Sequence, residues 1–93
     1  MSYKLDFYEE ALKEWWKLDA TVRAQFKTKL AERLENPRLA SAKLRDSGDR
    51  YKIKLRQIGY RLVYEVNDNT VLVLVVAVGK RDKNAVYLAE SKS

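Results

Sequence analysis

The segment that most limits the fold is residues 50–56, RYKIKLR, in which cationic and apolar side chains alternate at every position. A period of two is typical of a β-strand, whose successive side chains point to opposite faces of a sheet. The apolar face would be buried and the other face would be charged. The cations of this face are Arg50, Lys52, Lys54 and Arg56. Gly59 separates the strand from a second strand at residues 60–67, so the sequence predicts an antiparallel hairpin.

Two helices are predicted before this hairpin. Residues 9–18 place apolar side chains on one stripe, and the spacing of Asp6 and Glu9 matches a capping box at the start of the helix. The stripe consists of Ala11, Leu12, Trp15 and Trp16. In the second helix the apolar side chains fall four residues apart, at Val22, Phe26, Leu30 and Leu34. Pro37 ends this helix, because the residue before a proline avoids helical geometry.

Strands are also predicted at residues 3–7 and 70–78. The continuous apolar run within the last strand indicates a central strand that is covered on both faces. The sequence therefore predicts an α+β fold, in which an N-terminal strand and a helical hairpin pack on a mainly antiparallel four-stranded sheet, followed by a short C-terminal helix. The element order would be β-α-α-β-β-β-α, in one domain over residues 1–93. The partner of the first strand stays open.

Two missing residue types restrict the chemistry of the chain. Without cysteine there is no disulfide, thiol nucleophile or thiolate metal site. Without histidine the usual acid–base group at neutral pH is absent, and only scattered carboxylates remain as metal ligands. We therefore expect no metal site and no cofactor. The charged N-terminus and the shortness of the apolar run at residues 71–78 predict a soluble, cytoplasmic protein.

Positive charge is concentrated in residues 41–61. This segment holds seven bases and two acids, a net +5 against +6 for the whole chain. The bases are Lys43, Arg45, Arg50, Lys52, Lys54, Arg56 and Arg61. Lys80 and Arg81 follow the last strand, and pairing about the turn would bring Arg61 near Lys54. A solvated strand face is the simpler interpretation, but like charges facing each other destabilise a sheet, so a polyanionic partner is favoured.

The cationic face permits either binding or cleavage of a nucleic acid. Binding needs only this charge and a side chain that stacks on bases. Metal-free cleavage of RNA also needs a base for the 2′-OH, a cation for the phosphorane and an acid for the leaving oxygen. Lysine is the only plausible cationic base here, and neighbouring cations would lower the pKa of Lys54 from its usual value of about 10.4. These residues alone leave both functions open.

The roles predicted for the tyrosines depend on their positions in the sequence. Three of them have the parity of the apolar strand face and are expected to pack in the core: Tyr51, Tyr60 and Tyr64. Tyr87 has polar neighbours, and it can equally stack on a base or cover the edge of the core. Trp15 and Trp16 fit the seam between the first helix and the sheet, with one of them half exposed.

Three segments together resemble the RelE toxins of bacterial type II toxin–antitoxin systems. The segments are LDFYEEALKEWWKL, KLRDSGDRYKIKLRQIGYRLVYEV and VAVGKRDKNAVY. The resemblance spans nearly the whole chain and implies a ribosome-dependent mRNA endonuclease, which cuts the A-site codon by attack of a 2′-OH on the adjacent phosphate. It implies that Lys54 is the general base, that Lys52 orients the phosphate and that Arg61 stabilises the transition state.

The resemblance extends to three other positions. It implies that Arg81 is the general acid, that Tyr87 stacks on an mRNA base and that Arg45 contacts the RNA. The remaining bases are expected to bind RNA through their charge alone, and these are Arg50, Arg56 and Lys80. The few residues after Tyr87 predict a short terminal helix, which leaves open how an antitoxin inhibits the chain.

The implied partners are a cognate RelB-like antitoxin and the 70S ribosome with mRNA in its A site. Operator DNA would be bound only indirectly, through the antitoxin complex, and no membrane is involved. Two alternatives remain, a ParE-like gyrase inhibitor of similar fold and a nucleic-acid-binding module without turnover. The joint presence of Lys52, Lys54, Arg61, Arg81 and Tyr87 favours the endonuclease.

Overall fold

A computed structural model describes residues 2–45 and 48–80 of the chain. Two helices and a four-stranded sheet make up its regular structure. The elements are β1 (Lys4–Phe7), α1 (Glu9–Lys17), α2 (Ala20–Glu35), a 3₁₀ turn (Ala40–Ala42), β2 (Arg50–Leu55), β3 (Tyr60–Asn67) and β4 (Leu72–Lys80). This order confirms the predicted α+β fold. The predicted C-terminal helix lies outside the described residues.

The strands are arranged in the order β1-β4-β3-β2. β2, β3 and β4 form an antiparallel meander, as predicted, and β4 is a central strand. β1 pairs with β4 in parallel, with Lys4 opposite Leu72 and Phe7 opposite Val75. The sheet is therefore mixed, with β2 at one edge, where an isolated antiparallel bridge pairs Lys43 with Tyr51.

The helical hairpin covers one face of the sheet. Trp15 of α1 packs between Phe7 and Phe26, with ring centroids 5.2 Å and 6.3 Å away. Phe26 and Leu30 of α2 are almost completely buried, in line with the four-residue spacing of the apolar side chains. The opposite face of the sheet carries the cations of β2, since the residues of this strand alternate between buried and half-buried. The main core thus lies on the helical side of the sheet, and the charge lies on the other side, beside the buried Val63 and Ala77.

Two details of α1 differ from the prediction. The capping box is wrong, because the helix begins after Tyr8 and has no side-chain cap, while the Asp6 carboxylate accepts the neighbouring N–H of Phe7 at 2.8 Å. The apolar stripe is also narrower than expected, because Leu12 is 38% exposed. Of the two tryptophans, Trp15 is buried and Trp16 is exposed, in line with the prediction for one of them. Trp16 is 65% exposed, and its indole lies 5.5 Å from the guanidinium carbon of Arg23. Trp15 follows Ala11 by four residues and shares its core-facing side, whereas Leu12 and Trp16 each lie about 100° further round the helix.

Within the described ranges, no helix combines the length and the apolar character that crossing a membrane requires.

Candidate active site

The strand pairing brings the predicted cations together. Lys54 lies directly opposite Arg61 in the register of β2 and β3, as the sequence predicted. Lys52, two residues away on the same face, lies opposite the buried Val63. Next to Arg61, β4 contributes Gly79, which has no side chain. Like charges in these positions oppose sheet formation, so the rest of the fold must hold them there.

A cavity of about 330 Å³ opens beside Lys54 and Arg61. Its lining residues come from the end of β2, the turn and the start of β3: Lys54, Leu55, Arg56, Gly59, Tyr60 and Arg61. The turn is tight because the N–H groups of Ile58 and Gly59 both donate to the Leu55 carbonyl. Gly59 has a φ of 72°, a conformation that glycine adopts without a steric penalty. The turn therefore determines where Arg61 lies relative to Lys54.

The surroundings lower the pKa of Lys54 below its ordinary value. Burial is the largest cause, followed by the charges of Lys52 and Arg61, a hydrogen bond with Lys52 and the charge of Arg56. Each of these effects disfavours the protonated amine. A larger fraction of Lys54 is consequently neutral near physiological pH, which is the form that can accept a proton from a hydroxyl group.

The predicted RNA-binding residues occupy different surroundings. Arg56 is exposed just beyond β2, and Arg45 is exposed near the start of the same strand. Arg50 forms an ion pair with Glu65 on the neighbouring strand, with 3.1 Å between Nε and Oε2. Lys80 lies opposite Tyr60, so the pleat directs it away from the face that carries Lys54. RNA binding by these residues stays a prediction.

Two predicted catalytic residues, Arg81 and Tyr87, lie outside the described residues. Two of the three tyrosines expected in the core are buried there, and their rings stack with centroids 5.6 Å apart: Tyr51 and Tyr64. Tyr60 packs against the core and also lines the cavity beside Arg61. Its position next to the turn glycine is the sequence signal that could have assigned it to the site.

Arg33 of α2 was not predicted as a site residue. Its Nη1 donates to the Lys52 carbonyl at 3.1 Å and to the Tyr64 hydroxyl at 3.0 Å. Its position on the helix was the sequence feature that could have identified it. Arg33 follows Leu30 by three residues, so it shares the face that packs on the sheet. A cation at such a position needs a polar partner, and the Lys52 carbonyl at the outer edge of β2 supplies one.

No cluster of three or more His, Cys, Asp or Glu side chains within residues 2–45 and 48–80 is suited to hold a metal ion. The chemistry available at this face is that of amines and guanidinium groups. Such a surface can bind a phosphodiester, stabilise negative charge on it and remove a proton through the neutral amine of Lys54.

Comparison with known proteins gives the family. The model of the ParE toxin of type II toxin–antitoxin systems matches residues 5–85. The mRNA interferase toxin RelE of Escherichia coli strain K12 is 60% identical over 87 residues, covering 94% of this chain and 92% of the relative. A putative RelE-like toxin protein of Escherichia coli is 53% identical over the same length.

Solved structures agree with these relatives. The isolated E. coli RelE toxin superposes with a TM-score of 0.85 at 56% identity, covering 98% of this chain and 97% of that one. The toxin in the intact E. coli RelBE toxin–antitoxin complex gives a TM-score of 0.84 at 58% identity, covering 88% of this chain and 100% of that one. The chain therefore belongs to the ParE toxin family of type II toxin–antitoxin systems and, within it, to the RelE toxins.

Proposed function

We propose that the protein is the toxin of a type II toxin–antitoxin system and acts as an mRNA interferase, a metal-independent endoribonuclease that cuts mRNA in the ribosomal A site. Close relatives carry the name mRNA interferase, which supports the activity. The observation that carries the proposal is the position of Lys54, with Arg61 directly opposite, Lys52 on the same face and a lowered pKa. A face that only binds RNA has no need of a neutral amine.

The reaction follows from these groups. Lys54 accepts the proton of the 2′-OH, and the 2′-oxygen forms a bond to the adjacent phosphorus. Lys52 and Arg61 stabilise the negative charge that develops on the phosphate oxygens. The bond from phosphorus to the 5′-oxygen then breaks, and that oxygen takes a proton, leaving a 2′,3′-cyclic phosphate and a 5′-OH. Arg81 is the proposed acid, and Tyr87 is proposed to stack on a base and align the attack.

The proposed partners are a RelB-like antitoxin and the 70S ribosome carrying mRNA. Solved RelE–RelB complexes support the first partner, including one with a peptide of the antitoxin. The ribosome would act as a scaffold that holds the codon against the cationic face. Operator DNA would be reached only through the antitoxin. The proposed location is the cytoplasm, where all these partners meet.

The test uses purified protein and programmed ribosomes with a defined codon in the A site. Primer extension should map a new mRNA end inside that codon, which is absent without ribosomes. Lys54→Ala should reduce the single-turnover rate by about 10² to 10⁴, the usual contribution of a general base. Lys27→Ala is the matched control, because Lys27 is an exposed cation of α2 that lines a cavity with Leu5 and Phe7 of β1, at the opposite edge of the sheet from β2.

Intact mRNA across a panel of codons, with an active control toxin alongside, would refute the proposal. In that case, inhibition of gyrase and plain RNA binding would be the next activities to measure.

A further inference from the structure

A second cationic cavity lies next to the first. Its volume is about 280 Å³, and it shares Lys54 and Arg56 with the cavity beside Arg61. The residues that line it are Arg33, Ser41, Ala42, Lys52, Lys54 and Arg56. Four of these six are cations and none is acidic. Such a concentration of positive charge is unfavourable unless an anion balances it.

Arg33 is held rigidly at the wall of this cavity. Its guanidinium lies 5.8 Å from the ring centroid of Tyr64 and donates to the hydroxyl of the same tyrosine. That hydroxyl in turn donates to the Pro37 carbonyl at 2.7 Å. Both hydrogen bonds of Arg33 use Nη1, and within the described ranges Nε and Nη2 donate to no protein acceptor. The guanidinium is therefore oriented in advance and keeps donors for an anion.

The backbone of β2 explains why Arg33 lies there. β2 is an edge strand, and its outer carbonyl groups need partners. The Arg50 carbonyl accepts the Leu44 N–H at 2.9 Å, and the Lys52 carbonyl accepts Arg33. Arg33 thus occupies the place of a further strand and brings its charge beside Lys52 and Lys54.

We propose that this cavity is a second phosphate-binding subsite, which holds an mRNA phosphodiester next to the scissile one. Arg33 would be its main ligand and Ser41 a further donor. The inference rests on the proposed function, since it assumes an RNA strand at Lys54. Two adjoining cationic cavities suit a ligand whose anionic groups repeat along a chain. Arg33 binds as a rigid fork, whereas a lysine offers a mobile point charge.

The test measures binding of the protein to ribosomes programmed with an uncleavable mRNA, in which the attacking nucleotide lacks its 2′-OH. Each linkage around the cut is replaced in turn by an uncharged methylphosphonate. Wild type is compared with Arg33→Gln, and with Lys27→Gln as a control that loses the same charge from the same helix, on the side next to β1. Cleavage of unmodified mRNA by the wild type is scored separately, so a failure of the proposed function is recognised independently.

The proposal predicts that one neutralised linkage, other than the scissile one, weakens wild-type binding about tenfold, as expected for a lost charge-assisted hydrogen bond. On unmodified mRNA, Arg33→Gln should bind about tenfold more weakly than the wild type. Neutralising that linkage should weaken the binding of Arg33→Gln no further. Lys27→Gln should bind as the wild type does. Ser41→Ala leaves the hydrogen bonds of Arg33 in place. It should weaken binding less than Arg33→Gln does, and its loss should depend on the same linkage.

Three results would overturn the proposal. Undiminished binding by Arg33→Gln would show that the residue contacts no phosphate. If the binding loss of Arg33→Gln depended only on the scissile linkage, Arg33 would act by positioning Lys52. If Arg33→Gln bound more weakly than the wild type whichever linkage was neutralised, or if Lys27→Gln lost as much affinity, the effect would belong to ribosomal RNA or to long-range charge.

Discussion

At the scale of single residues, Lys54 differs from an ordinary surface lysine in its surroundings. It is half-buried, with Arg61 opposite and Lys52 on the same face. Burial and these charges act in the same direction, because both make the protonated amine less stable. The positive charge that attracts RNA therefore also favours the neutral amine of Lys54, which can remove a proton from the RNA.

The pKa of Lys54 should respond to its neighbours. In an NMR titration of isotopically labelled lysines, Lys54 should have a pKa below the ordinary lysine value of 10.5. Lys52→Met removes a neighbouring positive charge and a hydrogen bond, so it should raise this pKa, whereas Lys27→Met, at the opposite edge of the sheet, should leave it unchanged. An identical titration of Lys54 in all three proteins would contradict the electrostatic explanation.

At the scale of elements, the hairpin of β2 and β3 was the most predictable part of the molecule. The alternation in residues 50–56 and the turn glycine determine its strands and the pairing of Lys54 with Arg61. The partner of β1 was not predictable, because a crossover of two helices, rather than the pattern of its own residues, brings β1 beside β4. The role of Arg33 was hidden for a similar reason, since its acceptors are distant in sequence.

The turn of this hairpin offers a stability test. Gly59→Ala should destabilise the fold by about 1–2 kcal/mol, because an alanine at a φ of 72° pays the left-handed penalty. The added methyl group meets nothing within 4 Å, so the cost is conformational. Gly48→Ala is the control, since that site is equally open and has no positive φ. Equal urea midpoints for Gly59→Ala and the wild type would contradict a role for the turn conformation.

At the scale of the whole molecule, Arg38 joins segments that are far apart in the chain. Its Nη2 lies 2.9 Å from Asp49, before β2, and 2.8 Å from Asp68, between β3 and β4. The hydroxyl of Tyr3 donates to the same Asp68 at 2.7 Å. These contacts link the N-terminal segment and the segment after α2 to one end of the sheet. The same sheet carries Lys52, Lys54 and Arg61.

Acidification should weaken this connection. The hydrogen bond from Arg38, and then that from Tyr3, lower the pKa of Asp68 below its ordinary value of 3.8. A carboxylate with a lowered pKa stabilises the fold above its unfolded pKa, and this contribution is lost as the pH falls through the folded value. Asp68→Asn should therefore be less stable than wild type at neutral pH, with the difference shrinking below about pH 4.

The measurement is urea unfolding as a function of pH. Asp19→Asn serves as the control, because Asp19 precedes α2 without forming a side-chain cap. A stability difference between Asp68→Asn and wild type that stays constant from neutral to acidic pH would contradict this explanation.

The central claim is that Lys54 acts as a general base in cutting mRNA on the ribosome. The most direct measurement is the single-turnover cleavage rate of pre-bound complexes against pH. We predict that the wild-type rate rises about tenfold per pH unit and levels off below pH 10.5, while Lys54→Ala is slow and lacks this rise. A wild-type rate independent of pH, or a rise that Lys54→Ala retains, would contradict the claim.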